Sequence, residues 1–64
     1  MIVNGKEIIL QEETSLKKYL EEKKYDLTRI AVEKNGIIIQ RQLFETEKLC
    51  DSDKIEIVSF VGGG

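Results

Sequence analysis

Sixty-four residues make one small domain, which buries only about 60% of its unfolded surface and needs a well-patterned core. With 41% hydrophobic and 34% charged residues the chain is globular, and twelve Asp and Glu against ten Lys and Arg (net −2) lack the basic excess of a nucleic-acid binder. No histidine and a single cysteine remove the commonest general base, an internal disulfide and a multi-Cys zinc site, and no apolar run reaches the roughly 20 residues that span a bilayer; with no signal peptide either, the expectation is a cytoplasmic domain that is not an enzyme and holds no metal.

Asn4-Gly5 tolerates positive φ at both central positions of a type I′ turn, and apolar residues flank it on both sides (Met1-Ile2-Val3, Ile8-Ile9-Leu10). A hairpin pairing Val3 with Lys6 puts Met1, Val3, Ile8 and Leu10 on one face, and Ile2, Glu7 and Ile9 on the other. Ser15 precedes an amphipathic run, where its hydroxyl can accept from the first free N–H groups, so the N-cap is placed there. Leu16, Tyr19 and Leu20 follow at helical spacing, and the helix is expected to end near Lys23 or Lys24. Ile30 to Lys34, Asn35-Gly36 and Ile37 to Ile39 form a second hairpin, with Ile30, Val32, Ile37 and Ile39 sharing a face opposite Ala31, Glu33 and Ile38. Gln40 to Lys48 is a polar connection that Leu43 and Phe44 are expected to pin to the core. Asp51-Ser52-Asp53 forms a turn, and a last strand from Ile55 to Val61 sets Ile55 and Ile57 against Glu56, Val58 and Phe60.

Two hairpins, one helix and a closing strand give an α+β domain over 1–61, with the helix on one face of a mixed four- to five-stranded sheet. A final strand parallel to the first makes this a β-grasp (ubiquitin-like) arrangement. Periodicity carries the element order and leaves the strand order open.

Residues 62–64 are Gly-Gly-Gly, expected to form a flexible tail. Without Cβ atoms, Gly62 and Gly63 can thread a channel too narrow for other residues, carrying the carboxylate of Gly64 about 10 Å from the folded body. A carboxylate resists nucleophiles until an external cofactor activates it; adenylation by ATP does so, after which a sulfur nucleophile can yield a thiocarboxylate. The bland alternative is a frayed end or a linker.

In these residues the chain resembles the ThiS family, the sulfur carriers of thiamine biosynthesis. The resemblance runs through Asn4-Gly5, Ser15 to Leu20, Val32 to Gly36, Arg41, Phe44, the Leu49-x-Asp51-x-Asp53 turn and Val61 followed by three glycines. Gln40 and Ser52 depart from the family's usual proline and glycine, which touches loop geometry and leaves the tail alone. The resemblance implies a protein substrate with no catalytic side chain and no bound cofactor. A ubiquitin-activating-like adenylyltransferase would spend ATP on Gly64, a donor such as a cysteine desulfurase would supply sulfur from a persulfide, and thiazole synthase would receive it. A carrier for molybdopterin or another sulfur pathway shares these features, and a stand-alone β-grasp binding module is the reading from a different class.

With the helix on the Met1/Val3/Ile57 face, the other face carries Ile2, Ile9, Ala31, Ile38, Val58 and Phe60. An apolar face without local cover marks a partner site, so Ile2, Ile38, Val58 and Phe60 are the expected docking residues, the last two nearest the tail; a dimer contact is the competing reading. Cys50 has no evident cationic neighbours and reads as a small semi-buried hydrophobe rather than a persulfide carrier. Asp51 and Asp53 read as turn caps rather than a cation pair. Lys17, Lys18, Lys23 and Lys24 alternate with Glu21 and Glu22 as a solvated helix face.

Overall fold

The computed structural model describes residues 1–60; the end of the last expected strand at Val61 and the glycines at 62–64 lie outside them. Both Asn-Gly pairs form the expected turns, with φ of 51° and 82° at Asn4 and Gly5 and 53° and 85° at Asn35 and Gly36, the left-handed pair that matches strand twist in a type I′ hairpin. They join β1 (Ile2–Val3) to β2 (Lys6–Glu7) and β4 (Ile30–Lys34) to β5 (Ile37–Ile39). Val3 pairs with Lys6 and Lys34 with Ile37, as the turn spacing demands.

Between the hairpins lie a two-residue strand, β3 (Thr14–Ser15), and the helix α1 (Leu16–Glu22); β6 (Lys48–Leu49) and β7 (Lys54–Ser59) follow the second hairpin. The five-stranded sheet has the order β2-β1-β7-β4-β5, with β7 parallel to β1 and antiparallel to β4. One helix on one face of that mixed sheet is the β-grasp arrangement. β3 and β6 pair in a second, two-stranded sheet that the sequence pattern did not indicate, because two-residue strands carry no readable period.

The core lies between α1 and the sheet. Leu16, Leu20, Leu49 and Ile55 are fully buried, with Met1, Val3, Tyr19, Val32, Phe44 and Ile57 around them. At the N-terminus of α1 the Ser15 hydroxyl accepts from the Lys18 N–H at 3.1 Å. The 40–48 connection caps the same turn: carbonyls of Glu47 and Phe44 accept from Leu16 and Lys17 at 2.7 and 2.9 Å. Phe44 therefore pins the connection, as expected, but Leu43 does not. The short 3-10 turn at Arg41–Leu43 presents only one of these adjacent side chains to the core, and Leu43 is exposed.

Ile37 shares the face of Ile30, Val32 and Ile39, as expected, and on the edge strand β5 it is 66% exposed. β7 starts one residue before the expected strand, at Lys54. The helix stops at the expected lysines by a specific device. Lys24 takes φ of 64°, its N–H bonds to Glu21 and that of Tyr25 to Leu20, both at 3.0 Å, which is a Schellman closure built without glycine. Among the described residues no helix is long and apolar enough to cross a membrane.

Candidate functional site

β4 and β7 form the centre of the face that α1 leaves uncovered. Residues directly opposite in a sheet share a face, so the pairs Ala31–Val58, Glu33–Glu56 and Glu33–Ile38 place these five side chains together on it. One position further along, the Phe60 N–H bonds to the Arg29 carbonyl at 2.7 Å, extending the β4–β7 ladder past the last assigned pair. Val58, Phe60 and Ile38 are 58%, 55% and 71% exposed, and Ala31 is half-buried. They line a shallow groove of about 240 Å³ that runs from Glu33 and Glu56 to Phe60.

The four expected docking residues thus separate. Ile38, Val58 and Phe60 meet at one groove. Ile2 lies on the same face but pairs with Lys54, four residues before Val58 on β7, about 13 Å away at strand rise, and stands outside the groove. Ile9, 82% exposed, lies in the loop after β2 rather than in a strand. Gly62, Gly63 and Gly64 fall outside the described residues; the chain reaches them from Phe60, at the end of the groove.

A charged turn that sequence reading did not single out leads into β4. Arg29 belongs to the 3-10 turn Leu27–Arg29, capped by Asp26, whose carboxylate accepts from the Thr28 N–H and hydroxyl at 3.0 and 2.7 Å. Those hydrogen bonds, helped by Arg29 and Arg41, hold the Asp26 carboxyl below its ordinary range. The Arg41 guanidinium donates to the Thr28 carbonyl at 3.3 Å, tying the end of the β5 side to the start of β4. The signal lay in the β4–β7 register, which no local pattern carries.

The remaining sequence candidates are structural. Asp51 accepts from the Met1 amino group at 2.9 Å and the Leu10 N–H at 3.0 Å, and these bonds lower its pKa. Asp53 is buried; desolvation pushes its carboxyl up, yet hydrogen bonds from the Cys50 N–H and the Asn35 side chain, with the Lys34 charge, hold it below the usual carboxylate range. Both carboxylates are turned to protein donors. Cys50 is exposed rather than semi-buried, with its sulfur 3.3 Å from the Ser52 hydroxyl. Lys23 leans over the Tyr19 ring at 5.8 Å.

A family model described as the ThiS family matches residues 1–64. The chain belongs to the ThiS family. It is 36% identical over 62 residues to an uncharacterized protein, ycf40, of Porphyra purpurea (97% of this chain, 87% of the relative). It is also 36% identical over 63 residues to the sulfur carrier protein ThiS of Bacillus subtilis, covering 97% of this chain and 96% of that one. A thiazole synthase of Paramagnetospirillum magneticum matches the whole chain at 33% identity over 64 residues, which are 20% of its own length. Among solved structures, the thiamine biosynthesis protein ThiS of Geobacter metallireducens superposes with a TM-score of 0.83 at 30% identity, over 98% of this chain and 96% of that chain.

Proposed function

We propose that this chain is a sulfur carrier of thiamine biosynthesis, loaded as a thiocarboxylate on Gly64. The observation that carries the reading is the near end-to-end match to the Bacillus subtilis sulfur carrier, on a fold whose last described residue, Phe60, lines one end of an apolar, uncovered groove. The chemistry follows from the group. An adenylyltransferase of the ubiquitin-activating type joins the Gly64 carboxylate to AMP from ATP, releasing pyrophosphate and creating a good leaving group. The outer sulfur of a cysteine desulfurase persulfide then displaces AMP, giving an acyl disulfide, and a second thiol cleaves its S–S bond, becoming part of a disulfide as the thiocarboxylate is released. The thiocarboxylate passes its sulfur to thiazole synthase and returns to carboxylate. ThiS-like sequence inside a chain named thiazole synthase supports that acceptor, since fusion keeps a carrier and its consumer together.

In this reading the chain is substrate rather than catalyst. Val58, Phe60 and Ile38 dock the adenylating enzyme, while Gly62 and Gly63 pass through its channel. The ATP requirement goes with the cytoplasmic placement expected from the sequence. Incubation with an adenylating partner, ATP and a sulfur donor, followed by intact mass, tests this: oxygen-to-sulfur exchange at Gly64 is the expected result. An unchanged mass, with a known carrier converted in parallel, rejects it.

A further inference from the structure

On the helix side of the sheet a second groove, of about 480 Å³, lies between the first hairpin and the end of α1. Val3 and Lys6 stand opposite each other on β1 and β2, so the Lys6 side chain shares the helix-facing side with buried Val3. Tyr19 and Lys23 are four residues apart and neighbours on the helix surface, with the Lys23 ammonium 5.8 Å from the centre of the Tyr19 ring. The left-handed residue Lys24 then closes the helix and turns Tyr25 back into the groove, where Val3 and Ile8 supply an apolar wall. The carbonyls of Tyr19, Leu20 and Glu21 accept from the N–H groups of Lys23, Tyr25 and Lys24 at 3.0–3.1 Å, so these acceptors are already taken.

Tyr19 is only 5% exposed, yet among the described residues no protein group bonds to its hydroxyl, and no polar atom there is both buried and unpaired. The O–H therefore opens into the groove. Burial, and then the nearby Tyr25, push the Tyr19 phenol above its ordinary range, so it stays a donor at neutral pH. Among the described residues neither Lys6 nor Lys23 forms an ion pair, and no carboxylate lines the groove; Glu22 stands beyond Tyr19 in a neighbouring recess. A chain of net charge −2 thus gathers two ammonium groups and a buried phenol's free O–H around one partly apolar recess. We propose that this groove binds a small organic phosphate monoester, its phosphoryl group between Lys6, Lys23 and the Tyr19 hydroxyl and its body against Val3, Ile8 and Tyr25. Two cations match the roughly −2 charge of a monoester at neutral pH, where a carboxylate brings only one. The groove is open and its lysines are screened by salt, so the dissociation constant is about 1 mM at low ionic strength. The groove lies on the opposite side of the sheet from Val58 and Phe60, and its ligand does not depend on the function proposed above.

The test is an NMR titration of the full chain at low salt with phenyl phosphate, up to about 10 mM, beside inorganic phosphate, benzoate and a phosphotyrosine peptide. Phenyl phosphate is expected to give saturable amide shifts at Lys6, Tyr19, Lys23 and Tyr25, inorganic phosphate weaker shifts at the same amides, and benzoate none that saturate. The peptide is expected to bind no more tightly than phenyl phosphate. Lys6→Gln and Lys23→Gln should each weaken phenyl phosphate about tenfold, and Tyr19→Phe about threefold with an unchanged melting temperature, because no protein hydrogen bond is lost. Lys54→Gln, on the opposite face of the sheet, should bind as wild type does. No saturable shift by about 10 mM, benzoate binding as tightly, Lys54→Gln losing as much as Lys6→Gln, or Tyr19→Phe binding like wild type would each overturn the proposal. A peptide bound about tenfold more tightly than phenyl phosphate would overturn it too, by assigning the groove to a phosphorylated protein. Sulfur loading is read separately, as mass change at Gly64, so failure there sinks the carrier function and not this site, and the reverse holds as well.

Discussion

Replacing Asp53 by alanine removes the acceptor for two donors at once. Its Oδ2 takes the Cys50 N–H at 2.8 Å and its Oδ1 takes the Asn35 side-chain amide at 2.9 Å, while the Lys34 ammonium stands 3.8 Å away. Asn35 in turn accepts from the Lys54 N–H and donates its own N–H to the Lys54 carbonyl, so this carboxylate clamps the β4–β5 turn to the start of β7. A buried donor left without a partner costs about 1–3 kcal/mol; because Cys50 and Asn35 are exposed and water reaches part of the site, the two together cost about 2–4 kcal/mol. A domain of this size has about 3–10 kcal/mol in total, and each kcal/mol moves its midpoint about 4–8 °C, so D53A is expected to melt roughly 10–30 °C lower. The pH dependence has a definite sign. A carboxylate whose folded pKa is depressed stabilises the fold above its unfolded pKa, about 3.9, and that contribution fades as pH falls through the folded value. Asp26 and Asp51 act in the same direction. D53N should therefore lose one carboxylate's share of the acid limb, giving a shallower fall in urea midpoint between neutral and strongly acidic pH. A D53A variant within about 1 kcal/mol of wild type at neutral pH, or a D53N acid limb as steep as wild type, would refute this account of the clamp.

Leu20→Ala empties a fully buried site between α1 and the sheet and is expected to cost about 2–5 kcal/mol in urea unfolding, enough to leave the domain marginal. Asn4→Ala loses both a residue suited to positive φ and the Oδ1 that accepts from the Ile57 N–H at 2.7 Å; about 2 kcal/mol should be lost by the same assay. Lys24→Gly relieves the left-handed strain at the helix end and should raise stability by about 0.5–1 kcal/mol, seen as a higher melting temperature. Val58→Ala with Phe60→Ala removes exposed apolar surface only, so the melting temperature should hold while adenylation by the partner slows; unchanged adenylation kinetics would remove these residues from the docking site.

Much of this molecule is legible locally. Asn4-Gly5 and Asn35-Gly36 specify left-handed turns through their own backbone freedom, and the turns set which residues oppose each other in the hairpins. Ser15 ahead of Leu16, Tyr19 and Leu20 marks the helix start, and alternation sorts Ile55 and Ile57 inward from Val58 and Phe60. These readings hold because each rests on a period or a cap spanning a few residues. Leu43 marks the limit. It is apolar and suitably placed in sequence, but the 3-10 turn that opens the connection leaves it exposed.

What the chain alone determined, then, is the set of elements, the sorting of each strand's two faces and the run of three glycines at 62–64. Only tertiary structure decided that β7 inserts between β1 and β4, since a parallel pairing of residues some fifty positions apart leaves no local trace. That insertion lines up Arg29 with Phe60 and Glu33 with Glu56, joins Ile38 to Val58 in one groove while leaving Ile2 apart, and turns Asp53 from a turn residue into a buried clamp. Side-chain periodicity tells which way a residue points; which neighbour it meets there is settled by long-range register, whose energy comes from burying the whole core together.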